Sequence, residues 1–361
     1  MKPLAFYLPQ YHRVKENDEW WGEGYTEWTA VKNAVPFSPR QSQPRVPLNN
    51  NYYDLSDESG KVWEWQADLA NEYGVYGFVI YHYWFETGKQ LLEKPIEILL
   101  SHPEIDTRFC VCWANESWRR GWYSTAPELL MEQKYGDKEE YENHFDYLVR
   151  LFNDPRYIRV NGKPMVCIYH PAEIEELSDM LSVWRSLAIK NGFSGLHIVG
   201  GNTGAKIDDR EQLFDAYYNF EPSYSISHKY KKIERVLYLA NVFIRTAWNR
   251  ISSHKVIERP INGRRFIKKT KRPDIQKNAL IYPGAFPQWD NTPRRSETGT
   301  VFFNMDKEVF RKQLITAKQK YPNSEFVFIN AWNEWGEGAY LEPDTQKQYD
   351  YLTVIKDEFK D

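Results

Sequence analysis

The chain has 361 residues, 42% of them hydrophobic, which is enough apolar material for one large α/β barrel or two ordinary domains and excludes a disordered polymer. A formal charge of −3 excludes a global pull toward nucleic acid or anionic membranes, and no run approaches the ~18 consecutive apolar residues of a transmembrane helix. The opening MKPLAFYLPQYH lacks the apolar stretch and small-residue cleavage site of a signal peptide. Cys110, Cys112 and Cys167 fall in apolar runs, as expected of buried thiols in a reducing compartment, so a cytoplasmic location is expected.

In chain order, the strand candidates are LAFYL (4–8), VYGFVIY (75–81), FCVCW (109–113), MVCIY (165–169), LHIVG (196–200), DAYYNF (215–220), LIYPGAF (280–286) and EFVFIN (325–330). Helical periodicity falls between them, near 58–73, 89–101, 138–152, 173–191, 206–213, 305–320 and 345–359. The strand runs lack clear polar alternation, which suits strands covered on both faces. Eight such strands in βα alternation predict a single (β/α)8 TIM barrel over residues 1–361, rather than a doubly wound open sheet. No glycine-rich phosphate fingerprint follows the first strand, and polar or aromatic residues follow nearly every strand instead of one switch point.

Three connections are long: 9–57, rich in Pro and Trp; 114–137; and the segment 221–278, a basic insertion after strand 6. Within it, residues 228–277 carry 15 Lys and Arg against Glu234, Glu258 and Asp274, a net of +12 that leaves the remainder near −15. Its stretch IERVLYLANVFIRTAWNR (233–250), followed by GRRFIKKTKR (263–272), suits either peripheral contact with anionic lipid or a helical insertion packed on the barrel with a solvated basic face. Aromatics there are too few for a nucleic-acid platform.

On a barrel, residues just past each strand converge on one pocket. Aromatic faces beside amides, imidazoles and carboxylates suit the ring and hydroxyls of a sugar. The expected substrate contacts are Tyr7, Gln10, His12, Tyr81, His82, Trp84, Trp113, Asn115, Glu116, Tyr169, Trp289, Asp290, Asn330, Asn333 and Trp335. Tyr83 and Glu221 fall in the same post-strand positions. Arg294 and Arg295 could engage a phosphate or a sugar carboxylate, or brace neighbouring loops. P-loop, GxSxG, HExxH and CxxC motifs are missing and the eight histidines are scattered, so neither a cofactor nor a metal site is expected.

NAWNEWGEGAYLEPD (330–344) crowds Glu334, Glu337, Glu342 and Asp344 beside Trp332 and Trp335. Glycosidic cleavage needs one carboxylic acid to protonate the leaving oxygen and a second carboxylate to assist at the sugar. Glu334 and Glu337, three positions apart at a strand end, are the candidate catalytic pair, and Trp335 could wall the site and raise one carboxyl by desolvation. The competing role is capping or salt-bridging the last helix.

FYLPQYH, NDEWWGEGYTEW, YGFVIYHYWF, CWANESW, DPRYIRVNGKP, PQWDNTPRR and FINAWNEWGEGAYLEPD, in that order, resemble the WbsX-like family of bacterial polysaccharide loci. That family is labelled glycosyltransferase and is similar to the endo-α-mannosidase family of glycoside hydrolases. The resemblance implies a (β/α)8 barrel and a retaining mechanism. In it, Glu334 acts as base on the sugar 2-hydroxyl, generating an anhydro-sugar, and Glu337 acts as general acid and then base. Gly336 stands where the mannosidase relatives have His, a departure that bears on a substrate contact and on α-mannoside specificity.

Three activities follow as expectations. The first is a glycoside hydrolase or transglycosylase acting at an α-glycosidic bond of an oligosaccharide or polysaccharide. The second is a WbsX-type glycosyltransferase of surface polysaccharide (O-antigen or capsule) biosynthesis. The third is a non-catalytic glycan-binding barrel.

Overall fold

The computed structural model describes residues 1–120, 128–204, 206–230, 232–269, 274–276 and 278–360. Part of the loop expected at 114–137, and residues 270–272 of GRRFIKKTKR, lie outside the described residues.

The chain forms a (β/α)8 barrel. Its parallel strands are Lys2–Tyr7, Gly77–Glu86, Phe109–Trp113, Lys163–Ile168, His197–Asn202, Ala216–Asn219, a split seventh strand, and Phe326–Ile329. Each pairs with its sequence neighbour, and the first also pairs with the eighth, Ala5 opposite Ile329. Closure depends on the seventh strand. Ile281–Tyr282 pairs with the sixth strand and Gly284–Ala285 with the eighth. Pro283 sits at the break; it has no N–H to give, and its carbonyl accepts from Phe328 N at 2.9 Å. Only glycine fits at the next position, because a Cβ on Gly284 would lie 1.9 Å from the Asn219 carbonyl oxygen.

The helices Lys61–Tyr73, Lys94–Ser101, Lys138–Phe152, Leu177–Lys190, Lys307–Lys320 and Asp350–Phe359 surround the sheet close to where periodicity placed them. Asp137 and Asp306 cap two of them through their side-chain oxygens. The helix expected at 206–213 is instead a 3₁₀ turn, Glu211–Leu213. Asp208 accepts from Arg210 N at 2.8 Å and from its guanidinium, a local side-chain turn that competes with helix. Residues 89–91 form a short antiparallel strand on the extended second strand rather than the start of a helix.

Side-chain alternation sorts each strand into two faces. Phe6 packs inside the barrel against Tyr81 (ring centroids 5.5 Å apart), Tyr218 (5.3 Å), Phe220 (5.2 Å) and Phe328 (5.7 Å). Tyr7, one residue on, points outward and stacks on Trp63 of the first helix at 4.6 Å. Cys110, Cys112 and Cys167 are free and buried.

The segment after the sixth strand contains helices Ser223–His228, Lys232–Ile251 and Gly263–Lys269 and the strand Arg259–Asn262, which pairs in parallel with Thr300–Phe303. Ile261 and Phe266 join Phe286, Trp289, Phe302 and Met305 in a second apolar cluster. Asp274 ties the end of the segment to the barrel, accepting from Lys229 at 2.7 Å and Lys320 at 2.9 Å. Among the described residues no helix is long and apolar enough to cross a membrane.

Candidate active site at the mouth of the barrel

After the eighth strand the chain makes a tight hairpin. Asn333–Glu334 pairs antiparallel with Ala339–Tyr340, and the tip is a 3₁₀ turn, Trp335–Glu337. Trp335 lies beneath the tip, stacked on Tyr340 at 3.7 Å, with its indole N–H donating to Glu342 at 2.6 Å. Glu342 also accepts from Gln66 at 2.8 Å and Tyr53 at 3.0 Å, and burial pushes its carboxyl up to about 7. Asp344 accepts from the Tyr340 hydroxyl at 2.6 Å and from Gln346 N at 2.8 Å. The four carboxylates of this stretch therefore divide: Glu342 and Asp344 hold the hairpin from below, and Glu334 and Glu337 face a cleft.

That cleft, about 980 Å³, opens at the C-terminal end of the strands. Gln10, Tyr81, Tyr83, Glu116, Tyr169, Phe220 and Trp289 contribute to its wall, with Trp21, Tyr25 and Glu27 from the long first loop and Trp118 from the third. Arg119 and Arg295 supply positive charge to it.

Arg294, from the loop after the seventh strand, is the hub. Its Nε meets Glu27 Oε1 at 2.6 Å, its Nη2 meets Glu334 Oε1 at 2.6 Å, and its Nη1 meets Glu337 Oε1 at 3.3 Å. Of the two roles the sequence left open for Arg294, engaging a ligand anion or bracing loops, the geometry shows the second, by internal pairing. Burial pushes both Glu334 and Glu337 above the ordinary carboxylate range; Arg294 pulls each back, and repulsion from Glu27 pushes up again. Three carboxyls around one guanidinium cannot all ionise cheaply out of water, so the cluster favours keeping a proton near neutrality. Glu334, pushed up to about 8 chiefly by burial, and Glu337, raised by burial too, share this guanidinium and so titrate as a pair.

Glycine at 336 is a packing requirement. A Cβ there would lie 1.9 Å from Glu27 Oε1 and 2.7 Å from Arg294 Nε. The space a side chain at 336 would fill is occupied by the Glu27–Arg294 ion pair.

Of the contacts expected from sequence, Gln10, Tyr81, Glu116, Tyr169 and Trp289 line the cleft with Glu334 and Glu337. The others lie elsewhere, for stated reasons. On the second strand, residues 81 and 83 face the cleft, so His82 and Trp84 face the helix Lys138–Phe152 behind it. His82 lies 2.9 Å from His144 and burial pushes it down to about 3; Trp84 stacks on His144 and donates to Glu140 at 2.7 Å. By the same parity Trp113 turns outward, donating to the Trp84 carbonyl at 2.9 Å.

Tyr7 donates to Gln66 at 2.7 Å, and His12 is buried, with its ring pushed down to about 4 by burial. Asn115 braces the next loop, accepting from His170 N at 2.8 Å and donating to its carbonyl at 2.9 Å. Asp290 is buried, accepting from Gln41, Gln43 and Thr292. Asn330 donates to the Glu221 carbonyl at 2.9 Å, and Asn333 clasps Leu8 through both amide atoms. Trp335 supports the hairpin instead of walling the cleft.

Glu27 escaped the sequence reading; its only signal was its place in NDEWWGEGYTEW, an acid in a Trp-rich loop. Tyr83, expected at a post-strand position, lines the cleft on the same face as Tyr81.

Residues 3–355 match the family described as Glycosyltransferase WbsX. Two relatives, each the uncharacterized protein WxcX from a strain of Xanthomonas campestris pv. campestris, are 34% identical over 98% of this chain and 49% of their own length. The chain therefore spans about half the length of the curated relatives it matches. Among solved structures, the GH99 endo-α-mannosidase from Bacteroides thetaiotaomicron superposes with a TM-score of 0.60 at 15% identity, covering 99% of this chain and 97% of that one. A glycoside hydrolase-like protein follows with a TM-score of 0.57 at 15% identity, covering 100% and 94%. At such identity the likeness is one of fold. The match across nearly the whole sequence decides the family: the chain belongs to the WbsX glycosyltransferase family of carbohydrate-active enzymes, built on a barrel like that of the GH99 endo-α-mannosidases.

Proposed function

We propose that the protein cleaves or transfers at an α-glycosidic bond of an oligosaccharide or polysaccharide, with Glu337 as general acid and then base and Glu334 as base toward the sugar 2-hydroxyl. The observation that carries this reading is the placement of both carboxyls on one hairpin tip, facing one aromatic-walled cleft and sharing one arginine. Burial raises the Glu337 carboxyl above the ordinary carboxylate range, the direction a general acid needs. Glu334, paired at 2.6 Å with Arg294, is the better base. Tyr81, Tyr83, Tyr169 and Trp289 offer flat faces for sugar rings, and Gln10 and Glu116 offer hydroxyl partners. Glu27 holds Arg294 in place and so acts through it as a positioning residue.

A second reading, glycosyl transfer from a nucleotide sugar in surface-polysaccharide assembly, is favoured by the family label and by Arg119 and Arg295 on the cleft wall, cations suited to a diphosphate. Turnover of Glu334→Gln and Glu337→Gln on a panel of α-linked oligosaccharides tests the first reading. Each variant should lose at least about a thousandfold in kcat while binding glycan. Full activity in either variant removes the assignment. Thermal stabilisation by a nucleotide sugar, with no hydrolysis of any oligosaccharide, supports transfer instead.

A further inference from the structure

The helix Lys232–Ile251 is mounted with its polar side inward. Thr246 donates to Glu258 at 2.8 Å, Asn249 is buried and clasps Val256 through both amide atoms, and Arg245 donates to the Ile257 carbonyl at 3.1 Å. Most of its apolar residues point to solvent, while Tyr238 packs on the second apolar cluster. Ile233 is 69% exposed, Leu237 65%, Phe243 74%, Ile244 66%, Trp248 50% and Ile251 84%. Their spacing of mostly three and four positions makes one continuous stripe, on the order of 30 Å long for a helix of this length. A surface helix ordinarily buries that stripe. A contiguous exposed apolar face of this size marks an interaction site.

Charge identifies the occupant. Exposed Lys232, Arg235 and Arg250 flank the stripe, with Arg265 and Lys268 on the adjoining helix. Residues 228–277 carry 15 Lys and Arg against three acids, on a chain whose formal charge is −3. A second copy meeting the same face would bring the two basic segments together and repel. An anionic bilayer attracts the basic segment, repels the acidic remainder, and so orients the molecule as it accepts the stripe.

We infer that this helix docks the protein on an anionic phospholipid surface, lying in the interface plane with its apolar stripe among the acyl chains and its Lys and Arg at the headgroups. The sequence alone left this segment open between a lipid contact and a packed insertion with a solvated basic face. The segment does pack on the barrel, but the orientation of this helix, polar inward and apolar outward, favours a lipid contact for its exposed face.

The full chain, co-sedimented with vesicles of about 30% phosphatidylglycerol in phosphatidylcholine and with pure phosphatidylcholine vesicles, tests the inference. Anionic vesicles should pellet roughly tenfold more protein than neutral ones at about 50 mM salt, and the difference should shrink severalfold at about 500 mM. The variant Leu237→Ser/Phe243→Ser/Ile244→Ser should lose roughly tenfold in binding with little change in melting temperature, since these side chains are mostly exposed. Arg235→Ser/Arg250→Ser should lose severalfold and flatten the salt dependence. Failure to pellet with anionic vesicles, or binding undiminished in the apolar variant, overturns the inference. So does a dimer in sedimentation velocity that the apolar variant abolishes while lipid binding is absent, because a second copy would then cover the stripe.

Discussion

Arg294→Met separates the electrostatics of the cleft from its shape. The substitution keeps an apolar stem and removes a cation that contacts Glu27, Glu334 and Glu337 at 2.6, 2.6 and 3.3 Å, while those side chains are only 4%, 7% and 18% exposed. Removing one partner of a buried ion pair costs about 3–5 kcal/mol, because the remaining charge stays out of water. For a chain of 361 residues, an unfolding entropy of about 2.1 cal/mol/K per residue converts that cost to a fall of roughly 4–7 °C in melting temperature.

The deficit must depend on pH. Glu334 and Glu337 already sit above the ordinary carboxylate range in the folded state, and losing the cation raises them further. A carboxyl with a raised folded value binds protons more tightly when folded, so its contribution to stability fades as pH climbs through that value. The fall should therefore be full near pH 8 and much smaller near pH 5, where protonation relieves the repulsion. Differential scanning calorimetry at both pH values reads it. A deficit equal at the two pH values, or none at pH 8, refutes the picture of an arginine-held carboxyl cluster.

Gly336→Ala should destabilise by about 1–3 kcal/mol, because its Cβ meets Glu27 Oε1 at 1.9 Å; Glu27→Ala in the same chain should recover part of the loss in a double-mutant cycle. Glu342→Gln should flatten the decline of melting temperature between pH 5 and pH 8, since a buried carboxyl raised to about 7 loses up to about 3 kcal/mol of relative stability across that window; an unchanged slope rejects the burial argument. Tyr83→Ala should weaken glycan binding roughly tenfold or more by loss of a stacking face, and also lower the melting temperature, because Tyr83 is buried and packs on Trp118. His82→Ala should lower the melting temperature alone, while the folded protein keeps its affinity, because His82 packs against His144 and Tyr147 behind the sheet. Calorimetry and isothermal titration on the same preparations separate the two.

The barrel was legible because each strand is a short apolar run, closed by polar or aromatic residues and followed by helical period. Even the split seventh strand lay inside LIYPGAF, although the break at Pro283 and the close approach at Gly284 could be placed only with neighbours present. Glu334 and Glu337 were visible as an acid pair in a strand-end motif. Parity was the harder signal. Runs buried on both faces carry no polar alternation to say which residues face the cleft. Chemistry then favoured Tyr81, His82 and Trp84 alike, whereas geometry chose Tyr81 and Tyr83. The Arg294 hub was illegible for a different reason: its partners lie 267 positions away at Glu27 and 40 away at Glu334, and no local pattern links them. Asp290 and Asn333 misled because a buried polar side chain needs partners wherever it sits, and loop backbone and amides satisfied them.

The most direct test is a crystal structure of Glu334→Gln with a bound α-linked oligosaccharide. The account predicts a glycosidic oxygen within hydrogen-bond distance of the Glu337 carboxyl, the 2-hydroxyl of the same sugar at the residue-334 amide, and rings stacked along the tyrosine-lined wall. A glycan held away from the hairpin tip, with Glu337 still closed onto Arg294 and touching no sugar atom, would contradict it.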